Sequence, residues 1–159
     1  MNNKIWQHKA MAFVTRCHQH LWGKNNEDPL VFLYQQDLAN LFVKKMHMGW
    51  NKHGQERLLE NWGIDERAGQ TLHKSETFLL PQGIVFPYII EKELKAVFIH
   101  PLETPGQTIR IPGSSKEPIL LGNQTNPMEE VEGLFEGLRL FQEKKELLCV
   151  KIRPRLLKV

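Results

Sequence analysis

The feature that most constrains this chain is a change of character at Phe78. From there, Phe78-Leu79-Leu80, Ile84-Val85-Phe86, Tyr88-Ile89-Ile90 and Ala96-Val97-Phe98-Ile99 are short runs of apolar, β-branched and aromatic residues. Pro81-Gln82-Gly83 and the charged Glu91-Lys92-Glu93 divide them, and the charged turn reads as the corner of a hairpin. Residues 107–111 alternate apolar and polar side chains, as a half-buried strand does. The middle of the chain is therefore an antiparallel sheet.

Both flanks read as helical. Ile5, Trp6, Met11, Phe13, Val14, Cys17 and Leu21 form one broad apolar side of a helix over residues 5–22, stopped by Gly23. After turn material at 24–29, Asp28 is placed to cap, and Pro29 to begin, a short helix reaching Tyr34. Asp37 is placed to cap a further helix through Lys45, and residues 55–62 read as an amphipathic helix closing at Gly63. Residues 64–75 are polar and read as a loop. Residues 127–145 read as one helix with the stripe Val131, Leu134, Phe135, Leu138 and Phe141, followed by a buried strand over 147–152. The expected fold class is α+β: a helical part over 1–75, a central sheet over 76–125 and a helix–strand unit with a basic tail over 126–159, packed as one compact domain.

Composition narrows the function classes. With 159 residues and 41% hydrophobic content, the chain can bury a real core. A net charge of +3 permits contact with nucleic acid without arguing for it. Cys17 and Cys149 form neither a disulfide framework nor a zinc motif and fit a reduced, cytoplasmic setting. The opening MNNKIWQHK lacks the apolar core of a signal peptide, and no apolar run approaches the ~20 residues needed to span a bilayer. Cys17, His18, His20 and His8 offer only one pair at helical spacing, Cys17 with His20, so no metal site is expected. The loop Pro112-Gly113-Ser114-Ser115-Lys116 lacks the order of a phosphate loop, and Gly113 there allows a tight turn.

Four stretches, in order, resemble the polymerase core of bacterial replicative and phage DNA primases. They are residues 32–38 with 43–50, ending Met48-Gly49-Trp50; Gly83-Ile84-Val85-Phe86-Pro87-Tyr88; residues 111–115 with Pro118-Ile119-Leu120-Leu121-Gly122; and Val131-Glu132-Gly133-Leu134-Phe135-Glu136-Gly137-Leu138. The resemblance implies the N-terminal subdomain of the RNA-polymerizing core running into a truncated, degenerate Toprim segment. It implies a phage or mobile-element origin, binding of single-stranded DNA, and replication partners such as a helicase. Departures accompany it. Gln35-Gln36-Asp37 replaces an arginine–glycine pair, Ile99-His100-Pro101 stands where the strand should end in arginines, and Glu136 stands where an aspartate is common.

Glu132 matches the family's catalytic glutamate, but no later aspartate pair follows to help it hold metal. A lone carboxylate does not support phosphoryl transfer. The chain alone is therefore expected to bind no cofactor, with Mg²⁺ entering only if the catalytic unit is completed elsewhere. The plainer alternative is that Glu132 belongs to a helix start with Glu129 and Glu130, favoured by the helix dipole. Lys44, Lys45, Trp50, Lys52, Arg110 and Lys116 are the candidate nucleic-acid contacts, the cations for phosphate and Trp50, with Tyr88, for stacking. Lys151, Arg153, Arg155 and Lys158 of the basic tail are further phosphate candidates. The competing functions are a partner-binding module, using Glu129, Glu130, Glu136 and Glu143 or homodimerising through a strand edge near Val150, and the first part of a primase completed by a separate chain.

Overall fold

The computed structural model describes residues 1–24, 27–67, 70–71, 75–102 and 107–157. Helix α1 (Asn3–Leu21) starts at Asn2, whose side chain accepts from the Ile5 N–H. Its buried residues Trp6, Ala10, Phe13, Val14, Cys17 and Leu21 recur at helical spacing and form one face. Helices α2 (Glu27–Gln35) and α3 (Asn40–Lys45) follow. The expected caps are corrected. Asp28 and Pro29 lie inside the first turn of α2, where proline costs nothing because the N–H has no intrahelical partner. Asp37 is a left-handed turn residue with φ 60°, and Ala39 occupies the cap position of α3. Ala39 has no capping side chain, and its N–H donates to the Gln142 side chain at 2.8 Å.

Next come β1 (Gly49–Asn51), β2 (Gln55–Leu58), a 3-10 turn (Glu60–Trp62), β3 (Glu66–Arg67), β4 (Gln70–Thr71) and β5 (Thr77–Leu80). The helix expected over 55–62 is thus a strand and a single 3-10 turn. Gln55 to Leu58 pair antiparallel with Leu80 to Thr77, and a partner strand that supplies hydrogen bonds overrides weak helical patterning. Gly63 closes the turn with φ 74°. Within the expected loop at 64–75, β3 and β4 form a small antiparallel pair; residues 68–69 and 72–74 lie outside the described residues.

Strands β6 (Gly83–Ile90) and β7 (Glu93–His100) form the central hairpin, turned by Glu91 and Lys92 with φ 50° and 68°. Two consecutive left-handed residues give the turn geometry that matches strand twist. β6 runs unbroken through Pro87. Its neighbour β1 pairs only with Gly83, Ile84 and Val85, so at Pro87 the missing N–H faces no partner strand. With β8 (Ile109–Arg110), the order is β1-β6-β7-β8, all antiparallel. β8 is shorter than the half-buried strand expected over 107–111.

Both faces of this sheet are covered, which explains its nearly continuous apolar runs. Val85, Val97 and Ile99 pack with Trp6, Ala10, Phe13 and Cys17 of α1. Ile84, Phe86, Tyr88, Ala96 and Phe98 pack in a second cluster with Leu33, Val43, Leu134, Phe135 and Leu138. Strand β9 (Ile119–Leu121), β10 (Met128–Val131), helix α4 (Leu134–Lys144) and β11 (Cys149–Ile152) complete the fold. The single helix expected over 127–145 is corrected: Met128 to Val131 form a strand parallel to Cys149–Ile152, and only the remainder is helical. β10–α4–β11 is therefore a parallel β-α-β unit. The sheet order is β10-β11-β9, so Val150 lies on the middle strand at 0% exposure. The strand edge expected near Val150, and dimerisation through it, are thereby excluded.

Backbone contact between layers is close at two glycines. A Cβ on Gly49 would sit 2.5 Å from the backbone carbon of Cys17, so β1 and α1 touch main chain to main chain. Gly113, at φ 87°, lies under Trp6, whose indole N–H donates to the Pro112 carbonyl at 2.8 Å. Gly49→Ala is expected to destabilise the protein by about 1–3 kcal/mol, from overpacking against a backbone that cannot rotate away. Gly54→Ala, whose added carbon meets nothing closer than 3.9 Å, is the comparison. Urea unfolding of both variants checks this, and equal midpoints would refute the close-contact argument.

Candidate functional site

The candidate site is a cleft of about 310 Å³ where β10 ends and α4 begins, lined by His100, Thr108, Glu132, Leu134, Phe135, Glu136, Arg139 and Arg155. The crevice past the carboxyl ends of parallel strands, beside a helix N-terminus, is a recurrent ligand position. β7 delivers His100, its last residue, and β10 runs directly into Glu132. Gly133 is the cap residue of α4 and makes no side-chain cap bond. Arg155 comes from the segment after β11, which runs on beside the end of β10 through Arg153 N–H to the Val131 carbonyl at 3.0 Å and Arg155 N–H to the Glu132 carbonyl at 3.1 Å.

Glu132 faces a cation from its own chain. Arg155 Nε and Nη2 reach one Glu132 oxygen at 2.8 and 2.7 Å. Arg153 reaches Glu130 through Nε at 2.6 Å. Both pairs are solvent-exposed, so each is worth only about 0–1 kcal/mol. Arg139 donates to the Gln36 side chain at 2.9 Å, and Gln142 donates to the Asp37 carbonyl at 2.8 Å, tying α4 to the α2–α3 turn.

His100 is 6% exposed. It stacks on Phe32 with centroids 5.5 Å apart and meets the edge of Phe135 at 4.9 Å. Its Nδ1 lies 3.3 Å from Thr108 Oγ1. Burial pushes its pKa below the ordinary 6.5, so the ring is neutral near pH 7.

The residues expected at the site are dispersed. Glu132 lies in the cleft with Glu136, which stands in the first turn of α4, whereas Glu129 and Glu130 belong to β10 and not to a helix start. Trp50 is 6% exposed and Tyr88 is equally buried, its hydroxyl held by the Leu120 N–H at 3.1 Å. Trp50 and Lys52 share a separate cleft of about 490 Å³ with His53, Gln82 and the start of α2. Lys44 stands over the Trp22 ring at 4.6 Å, and Lys45 is exposed on α3. Arg110 lies over the Phe98 ring at 5.7 Å on β8, at the opposite sheet edge from Trp50. Burial lowers its pKa, and its Nε has no hydrogen-bond partner among the described residues. Lys116 is exposed in the loop after β8. Of the tail cations, Arg153 and Arg155 are engaged by glutamates, and Lys158 lies outside the described residues.

Among the described residues no three His, Cys, Asp or Glu side chains are grouped to hold a metal ion, and of the two carboxylates in the cleft Glu132 is paired with Arg155. Cys17 and Cys149 are free and buried, and burial pushes the Cys17 thiol up to about 12. No helix among the described residues is long and apolar enough to cross a membrane.

No protein-family model and no curated protein matches the sequence. Solved structures do match. The RNA polymerase domain of Mycobacterium tuberculosis primase DnaG superposes with a TM-score of 0.66 at 10% identity, over 94% of this chain and 56% of that one. The fold is primase-like. The E. coli primase catalytic core matches with a TM-score of 0.62 at 12% identity, over 94% of this chain and 54% of that one. A DnaG primase catalytic domain bound to ssDNA matches at 0.65 and 13%, over 92% and 53%. This primase-like chain therefore spans just over half the length of those structures.

A ring whose pKa is lower folded than unfolded stabilises the protein above the unfolded value, and that contribution is lost as pH falls below it. Folding stability is expected to drop from pH 6.5 toward 5, with part of the drop assigned to His100 and part to His20, whose pKa is lowered by burial and by nearby Lys52, Arg16 and His53. Chemical denaturation across this window should show a shallower decline for His100→Gln. Parallel profiles for the variant and the parent would remove His100 from the account.

Proposed function

We propose that this chain is a primase-related nucleic-acid-binding protein that does not make primers by itself. The observation that supports the second half is that no three His, Cys, Asp or Glu side chains among the described residues are grouped to hold a metal ion. Metal-assisted phosphoryl transfer needs clustered carboxylates, and Glu132 has only Glu136 beside it in the cleft. The first half is supported by the likeness in fold to primase catalytic cores, one of them bound to ssDNA. In this reading β10–α4–β11 is the opening of a Toprim unit and Glu132 its altered glutamate. The ligand is single-stranded DNA, the partner is a replication protein such as a helicase, the setting is the cytoplasm, and the origin is a phage or mobile element.

Lys44, Lys45, Lys52, Arg110 and Lys116 occupy different faces, so contact with a strand is a distributed electrostatic interaction rather than a deep groove. Such binding weakens steeply with salt. A second reading, in which a separate chain completes the catalytic unit, is favoured by one observation: among the described residues β10 stands at the outer end of its sheet, where a further strand can pair.

Titration of labelled single-stranded DNA at several salt concentrations tests the proposal, beside a primer-synthesis assay with ribonucleotides and magnesium. Binding that falls by roughly 0.7 log units per phosphate contact for each tenfold rise in salt, with no primer formed, is the expected result. Affinity no greater than that of an acidic control protein would refute the binding half, and primers made by the purified chain would refute the rest.

A further inference from the structure

We infer that Arg153 and Arg155 are phosphate-binding residues restrained by the chain's own carboxylates, so that a nucleic-acid strand engages them by displacing Glu130 and Glu132. The inference rests on the nucleic-acid-binding reading above and gives it a surface and a means of regulation.

Three features point to this arrangement. The backbone of the two arginines is fixed independently of their ion pairs. Arg153 and Arg155 donate main-chain bonds to the Val131 and Glu132 carbonyls, and Leu157 donates to the Thr108 carbonyl at 2.9 Å. Release of a glutamate therefore leaves both side chains poised on the same rim. The ion pairs are also exchangeable. The Arg155 and Glu132 side chains are 78% and 65% exposed, and the Arg153 pair is comparably open, so water and salt screen both. A phosphate presents the oxygens that a guanidinium fork grips, with at least the charge of a carboxylate.

The third feature is what lies behind Arg155. The cleft continues to Arg139 and to the first turn of α4, an 11-residue helix whose cap residue Gly133 provides no capping side chain. A phosphate on Arg155 would thus meet the first turn of α4, where the helix dipole and Arg139 favour an anion and the carboxylate of Glu136 opposes one. Glu132 serves as the resident anion of that rim. It competes with a strand for Arg155 and lowers the apparent affinity by a small factor.

The consequence is opposite to that of a glutamate that acts as a metal ligand: removing the carboxylates should strengthen binding. Glu130→Gln/Glu132→Gln is compared with Glu60→Gln/Glu91→Gln, which changes net charge equally at two exposed positions that do not line the cleft. Fluorescence anisotropy with a labelled single-stranded oligonucleotide at several salt concentrations is the readout. Two freed arginines should tighten binding by about three- to tenfold at low salt and steepen the salt slope by up to about 1.4, at ~0.7 per phosphate contact. Adding Arg153→Gln/Arg155→Gln to the first variant should cancel the gain.

If the cleft variant is no tighter than its charge-matched control, or if the gain survives loss of both arginines, the inference fails while the proposed function stands. If neither the parent protein nor any variant binds the oligonucleotide, both fail together.

Discussion

The structure depends on one constraint: the β6–β7 hairpin must be buried on both faces at once. Its strands carry apolar side chains at consecutive positions, so a partner on one side alone would leave every second residue in water. Helix α1 covers one face through Trp6, Ala10, Phe13 and Cys17, and the α2–α4 side covers the other. At roughly 1.5–3 kcal/mol for each large side chain fully buried, these two interfaces outweigh any surface ion pair in the molecule.

That arrangement also positions the cleft. His100 is the last residue of β7, so the hairpin places its ring between Phe32 of α2 and Phe135 of α4. The aromatic contacts join three elements at the point where β10 gives way to α4. Glu132 and Arg155 then sit on the rim of this packed cluster. The rim is exposed and adjustable, whereas the floor is rigid. A buried neutral histidine is compatible with such a floor because its hydroxyl partner Thr108 satisfies one ring nitrogen without introducing charge.

The rim of the cleft is built from carboxylates and guanidinium groups in equal measure. Here two glutamates at the end of β10 are each matched by an arginine after β11. The register sets Glu130 opposite Lys151 and Val131 opposite Ile152, and each ion pair is diagonal to it, reaching an arginine two positions further along the second segment. Alternation along two adjacent parallel strands puts side chains from both on the same face. The charge that Glu132 presents is thus set by its diagonal neighbour Arg155 as much as by its own carboxylate.

Much of the central architecture was legible in the residues. The hairpin corner at Glu91-Lys92, the apolar face of α1, the final strand and the α+β class all follow from local period and turn chemistry, because each is specified by residues within a few positions of one another. Other features were fixed only at long range. Residues 55–58 and 128–131 became strands because β5 and β11 supplied ladder partners from distant parts of the sequence. Val150 became the middle of a sheet because β9 paired on its other side. Trp50 turned from a candidate stacking surface into core because β1 packed against β6 and α1. The Glu132–Arg155 pair joins residues twenty-three positions apart, and only the β-α-β crossover brings them together. Local sequence determines which segments carry helical or extended patterning and which side chains are apolar. Tertiary structure decides which strands pair, which aromatic rings are left for a ligand, and which charges find a partner, since pairing and burial depend on contacts that no short window contains.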